Sequence, residues 1–157
     1  MVMDVTSCTN TLQHSRSELT VDNQARFDKL IFMDSIDFAV DVLLPRLAIT
    51  KKKDKIVFHP VCSLYKMEGL LDKLKALGKA CANRADIPID AGCCGMAGDR
   101  GFYFPELIAD ATKAEATEVN EQAYDGYYSS AKTCEASLSA ATGKNYRSVL
   151  WLLDEVS

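Results

Sequence analysis

Six cysteines punctuate a chain of 157 residues. Two of them are adjacent, in the stretch Gly92-Cys93-Cys94-Gly95-Met96-Ala97-Gly98-Asp99-Arg100-Gly101. Neighbouring Cα atoms stand about 3.8 Å apart, whereas a relaxed disulfide wants roughly 4.4–6.8 Å. The two thiols therefore look for partners elsewhere in the chain. Thiolates ligate iron–sulfur clusters and Zn²⁺, and about four of them complete either site. The glycines beside the pair let backbone N–H groups turn toward an anionic sulfur, and Arg100 and Lys132 can add positive charge. Gly95, Gly98 and Arg100 are thus expected to contact a bound group alongside the thiolates. The glycines recur at every third residue and do not spell G-x-G-x-x-G, which argues against a dinucleotide site.

The elements that must carry these cysteines follow from the apolar pattern. Val2 to Val5 reads as a strand before Cys8. Lys55 to Pro60 ("KIVFHP") reads as a strand delivering Cys62. Residues 85–90 ("ADIPID") read as a strand leading to Cys93 and Cys94, with Pro88 marking an edge. Residues 126–131 ("GYYSSA") read as a strand ending before Cys134. Between them, helical spacing is expected over 36–47, capped by Asp34 or Ser35 and ended by Pro45, then over 64–81 and from Pro105 to about Ala123. A short helix after Cys134, a break at Gly143 and a last helix (Val149, Leu150, Leu153, Val156) close the chain. Residues 12–33 are poorly patterned, one irregular helix followed by an extended piece at Leu30 to Met33.

This alternation predicts an α/β fold, a largely parallel, Rossmann-like sheet of about four strands with helices on both faces. Cys8, Cys62, the Cys93–Cys94 pair and Cys134 all fall at strand carboxyl ends, where open α/β sheets gather ligands. They are the expected metal ligands. Cys81 instead continues the apolar stripe of its helix, as a core residue does.

Composition bounds the rest. The chain is 48% hydrophobic and 25% charged, with a net charge of −4 and interspersed signs. That leaves no footprint for nucleic acid. No run approaches the ~20 apolar residues of a membrane span, and the opening MVMDVTSC lacks the basic region and long apolar core expected of a signal peptide. A reducing, cytoplasmic setting is the default, where six cysteines suggest metal or redox work. His59, three residues before Cys62, reads as a satisfied core histidine or a supporting group for the ligands. His14 reads as surface. Asp34, Asp37 and Asp41 read as a solvated helix face, and Phe102, Tyr103 and Phe104 as core packing or contacts to another domain.

Ser7-Cys8-Thr9-Asn10-Thr11-Leu12 also echoes Thr133-Cys134-Glu135-Ala136-Ser137-Leu138. With the abrupt first strand, the echo leads to the expectation that the chain opens at the tail of an upstream module and is the C-terminal part of a longer protein. His59-Pro60-Val61-Cys62, Cys93-Cys94-Gly95-Met96-Ala97-Gly98-Asp99 and Thr133-Cys134 together resemble the cysteine-rich CCG domain, over roughly residues 2–155. That domain occurs in heterodisulfide reductase subunits, the glycolate oxidase iron–sulfur subunit and FAD-linked D-lactate dehydrogenase-type oxidases. "CCGMAGDRGF" and the tail most resemble the last group.

The resemblance implies a single domain over 1–157 that relays electrons through a [4Fe–4S] cluster, or holds zinc as in some relatives. FAD and D-2-hydroxy-acid oxidation would belong to a separate domain, with the fragment itself not catalytic. The implied partners are that FAD domain, an upstream CCG repeat of the same polypeptide and a downstream electron acceptor. Any membrane association would come through the full-length enzyme. Cys62, Cys93, Cys94 and Cys134 match the family's ligands, and Cys8 matches the last cysteine of a preceding repeat. The family often ends its motif in C-x-x-C, and here Ser137 replaces the second cysteine. A zinc-stabilised docking module and a thiol–disulfide switch are the alternative functions.

Overall fold

A computed structural model describes all 157 residues. Val2–Met3 (β1) leads into helix α1 (Thr6–Gln13), a 3₁₀ turn at Ser15–Glu18 and helix α2 (Val21–Phe27). Met33–Asp34 (β2) then pairs with β1 in parallel, forming a two-stranded sheet of its own. The strand before Cys8 therefore does not join the main sheet. Asp34 Oδ1 accepts the Ile36 N–H at 2.9 Å and caps α3 (Ser35–Asp37), which runs on as a π-helical turn over Phe38–Leu43. The aspartates from Asp34 to Asp41 are not one solvated face. Asp34 is buried as the cap, while Asp37 and Asp41 both accept from Lys73 at 2.6 Å.

Lys53–His59 (β3) is the central strand, and Ile56, Val57 and Phe58 are buried on both of its faces. A 3₁₀ turn at Leu64–Lys66 precedes α4 (Leu70–Cys81), whose buried Leu70, Leu74, Leu77 and Cys81 follow the apolar stripe. Helix α4 passes directly into β4 (Ala82–Asp86), so this strand lies upstream of the expected 85–90. Pro88 lacks an N–H and falls beyond the ladder. Close contact fixes the register on the helix side. A Cβ on Gly78 would stand 2.6 Å from Ala85 Cβ and 2.8 Å from Phe58 Cε2. Burial pushes the Cys81 thiol up to about 11.

A short helix α5 (Arg100–Tyr103) and α6 (Pro105–Asn120) lead to β5 (Gly126–Ser129) and α7 (Lys132–Thr142). Three residues past Gly143, Tyr146–Ser148 form a strand that the sequence pattern does not reveal (β6), followed by α8 (Val149–Val156). Three residues are too few to show a period of two. The main sheet is parallel throughout, in the order β4-β3-β5-β6. Helices α3, α4 and α8 pack together on one face, and α6 and α7 pack together on the other. The expected α/β, three-layer fold is what the chain forms. No helix is long and apolar enough to cross a membrane.

Candidate functional site

The strand order contains one reversal. From β3 the chain moves to β4 through α4, and from β5 it moves the opposite way to β6 through α7. Crossovers that leave neighbouring strands toward opposite faces open a crevice between their carboxyl ends. Cys62 follows β3 and Cys134 sits in the first turn after β5, so these two cysteines border that crevice. Residues 87–99, between β4 and α5, carry Cys93 and Cys94 to the same place. There Cys134 Sγ meets Cys94 Sγ at 3.0 Å.

The turn is held from several sides. Gly95 has φ of 75° and donates its N–H to Cys93 Sγ at 3.4 Å. A Cβ at Gly95 would lie 2.5 Å from the Leu107 carbonyl oxygen and 2.7 Å from Ile108 Cα, so the turn rests on the start of α6. Met96 is buried, and its carbonyl accepts the Gly101 N–H at 3.0 Å. Ser137 donates its hydroxyl to the Cys94 carbonyl. It ties the turn to α7 instead of adding a thiolate.

The buried pair is electrically unequal. Donation from the Cys134 thiol pushes Cys94 down to about 6, helped against burial by the Met96 amide and by the positive field of His59. Cys134 is pushed up by its bond to Cys94, by burial, and by the neighbouring charges of Cys94, Cys62 and Cys93. One proton shared between two sulfurs accounts for both directions. Cys62 and Cys93 are exposed, whereas Cys94 and Cys134 are buried.

Cys8 is exposed on α1 and is not among the thiols whose charge acts on Cys134. The strand before it pairs only with β2, outside the four-stranded sheet. Gly98, with φ of 82°, faces open space. Arg100 is exposed and makes no ion pair or side-chain hydrogen bond, so nothing pairs it with Asp99. Lys132 is engaged by Glu135 at 2.6 Å. Phe102, Tyr103 and Phe104 are exposed beside the turn. His14 is exposed, with Nδ1 against the Asn10 carbonyl. The sequence alone does not reveal Glu115, a fully buried carboxylate on α6 whose oxygens both contact His59 Nδ1, at 2.8 and 2.9 Å. Its signal is the buried spacing of Thr112, Glu115, Ala116 and Val119, in which a lone acid interrupts an otherwise small and apolar face.

The donor chemistry suits a soft metal: thiolates at one crevice, with buried His59 Nε2 and Ser63 Oγ beside Cys62 lacking any partner. The spacing is not preformed. No three His, Cys, Asp or Glu side chains stand together as a metal-holding group. Two thiolates on a tetrahedral zinc at about 2.3 Å lie roughly 3.8 Å apart, so Cys94 and Cys134 would have to separate to accept one. No protein-family model matches the chain, and no curated protein matches it either.

Proposed function

We propose that the chain is an iron–sulfur electron-transfer module of an FAD-dependent D-2-hydroxy-acid oxidoreductase, with Cys62, Cys93, Cys94 and Cys134 as the thiolates. The supporting observation is the convergence of four thiols from three separate connections at the sheet's reversal point. A cluster held there would accept and pass on single electrons. The chain's own residues would do the rest: Gly95 and Ser137 fix the cysteine turn, and exposed Cys62 and Cys93 close the mouth. In this reading a separate domain of the same polypeptide carries FAD and the hydroxy acid, and the setting is cytoplasmic. An upstream repeat supplies the Cys-Cys-Gly turn that Cys8 lacks.

The test is elemental analysis of protein purified without oxygen, beside a Cys93→Ala, Cys94→Ala double variant. Iron with acid-labile sulfide in the wild type only is the expected result. Stoichiometric zinc would replace the cluster with a docking module, and equal metal in both proteins would sink the site assignment.

The 3.0 Å contact between Cys134 and Cys94 favours a second reading, a thiol–disulfide switch. A bond requires the sulfurs to close by about 1 Å. The Cys94 thiolate would attack a small-molecule disulfide, and Cys134 would resolve the mixed disulfide, so that two electrons leave as two reagent thiols. Metal-free protein whose thiol count falls reversibly by two would support that reading.

A further inference from the structure

The main sheet has two edges, and the chain treats them differently. At one edge β6 is three residues long, Tyr146 and Ser148 are buried, and the Tyr146 N–H is taken by Ser139 Oγ at 2.9 Å. Short or covered edges are how native sheets avoid pairing with other chains. At the other edge β4 runs for five residues, and Asn83, Arg84 and Ala85 in its middle are exposed.

Backbone parity shows which groups of β4 stand open. Lys55 donates its N–H to Asp125 Oδ2 and accepts the Asp125 N–H, so it faces β5. His59 faces the same way, its carbonyl accepting from Ser129 Oγ. Ile56 and Phe58 alternate with them and therefore face β4. A residue facing its parallel neighbour bonds on either side of its own partner. Ile56 is partnered with Ala85, so its bonds go to Arg84 and Asp86. Pro88, next in that series, has no N–H to give, and the ladder stops before it. Asn83 and Ala85 point outward instead, and Ile87 follows them one residue past the strand. No loop or cap bond reaches the N–H or carbonyl of any of the three.

We propose that this edge pairs with the same edge of a second copy, antiparallel about a two-fold at Ala85, making one continuous sheet across both. Charge selects the partner and the register. The two-fold sets Asn83 opposite Ile87 and Ala85 opposite Ala85, pairs that exchange both backbone bonds. It also sets Arg84 opposite Asp86 twice, in the closer positions, about 4.5 Å apart at Cα. The next register one way puts Arg84 against Arg84, and the other way Asp86 against Asp86. Like charges directly opposite are destabilising. Within one chain Arg84 Nε meets Asp86 Oδ1 at 2.7 Å, so the two side chains already share a face. Asp86 also meets Lys55 at 3.6 Å, and the Arg84 of a second copy adds to that field. Pro88 falls opposite Ala82, at a position that needs no outward N–H. The pairing does not depend on what the thiols hold.

Sedimentation equilibrium of the full chain tests it, in excess reductant so that exposed Cys8, Cys62 and Cys93 form no cross-links. A monomer–dimer equilibrium is expected, and a monomer at every concentration overturns the proposal. Arg84→Glu should weaken dimerisation about tenfold or more, because both charge pairs become repulsive. Lys144→Glu changes the net charge equally, in the loop before β6, and should leave the constant unchanged. An equal loss in both variants overturns the register. Amide exchange by NMR locates the contact without any substitution. Raising the wild-type concentration should slow exchange at Asn83, Ala85 and Ile87 and leave Arg84 and Asp86, already held by β3, unchanged. A dimer that protects none of those three amides uses another surface, and the edge pairing is then wrong.

Discussion

Two quarters of the molecule have the same plan and opposite outcomes. The run β1-α1-α2-β2-α3 and the run β5-α7-β6-α8 each pair two parallel strands and place a cysteine third in the first helix between them, Cys8 in one and Cys134 in the other, the first run inserting a 3₁₀ turn and α2 before its second strand. Each caps its final helix with a side-chain oxygen: Asp34 accepts from Ile36 N–H, and Ser148 accepts from Leu150 N–H. The two runs meet at an antiparallel bridge between Val5 and Ala131, each three residues before its cysteine. Cys134 is nevertheless buried against Cys94, while Cys8 is exposed and alone. A cysteine in the first turn after a parallel strand is therefore not by itself brought to another thiol. The Cys93-Cys94-Gly95 turn, tied to α7 by Ser137, is what sets Cys134 against one.

The sharpest way to break this contrast is to remove each cysteine in turn. If the proposed cluster is held, Cys134→Ser should lower bound metal by on the order of tenfold or more, since in that reading it deletes a ligand rather than a supporting group. Cys8→Ser should leave metal content unchanged in the same elemental analysis. Equal losses would mean that Cys8 belongs to the same centre and that the two quarters are not distinct in function.

Cys8, Cys62 and Cys134 are legible at strand ends because each follows a short apolar run, and alternating strand and helix signals carry the fold class. The six-residue echo around Cys8 and Cys134 pointed to the relation between the quarters, yet its extent was hidden. Residues 12–33, expected as one irregular helix and an extended piece, hold the end of α1, a 3₁₀ turn and α2 before β2, and β6 is too short to carry a pattern. The sequence could not say that β1 pairs only with β2, because strand order depends on contacts far apart in the chain. For the same reason the sequence places Cys8 at a strand end without showing that this strand lies outside the four-stranded sheet. Glu115 escaped because a buried acid is legible only once its partner is known to stand 56 residues away.

The turn that separates the quarters can itself be probed at two glycines. Gly95→Ala meets both a left-handed φ and the backbone of α6 at 2.5 Å. Strain of roughly 1–2 kcal/mol and overpacking of roughly 1–3 kcal/mol together should cost about 3 kcal/mol. Gly98→Ala has a similar φ and open space, so only the strain remains, about 1 kcal/mol. Denaturant midpoints measure both. Equal losses would show that the turn is not braced by α6.

Smaller effects should come from the caps. Ser148→Ala removes the acceptor for Leu150 N–H and a 2.8 Å donation to Asp4 Oδ1, one of the side-chain bonds, with those of Thr6 to Ser130, that tie the second quarter to the first. About 1 kcal/mol should be lost in chemical denaturation. A neutral result would mean that neither the cap nor that link matters to stability.

The smallest effect has opposite pH signs in the two quarters. Burial raises Asp34 above its ordinary value, more than the Ile36 N–H lowers it. The native state then binds a proton more readily than the unfolded chain, so this contribution is full below the ordinary carboxylate range and is lost as pH rises through the raised value. Glu155 on α8 runs the other way. Burial works to raise it, but bonds from Lys53 and Tyr128 and the charges of Lys53 and Arg147 outweigh that and hold it below its ordinary value. Its contribution is present above the ordinary range and is lost as pH falls through the lowered value. Asp34→Asn, which keeps an oxygen for Ile36 N–H, should therefore gain on the wild type in melting temperature as pH rises from about 4 toward neutrality. Glu155→Gln should trail the wild type at neutral pH and draw level in acid. A pH-independent gap in either series would show that packing, not charge, distinguishes these carboxylates, and the electrostatic contrast between the quarters would fall with it.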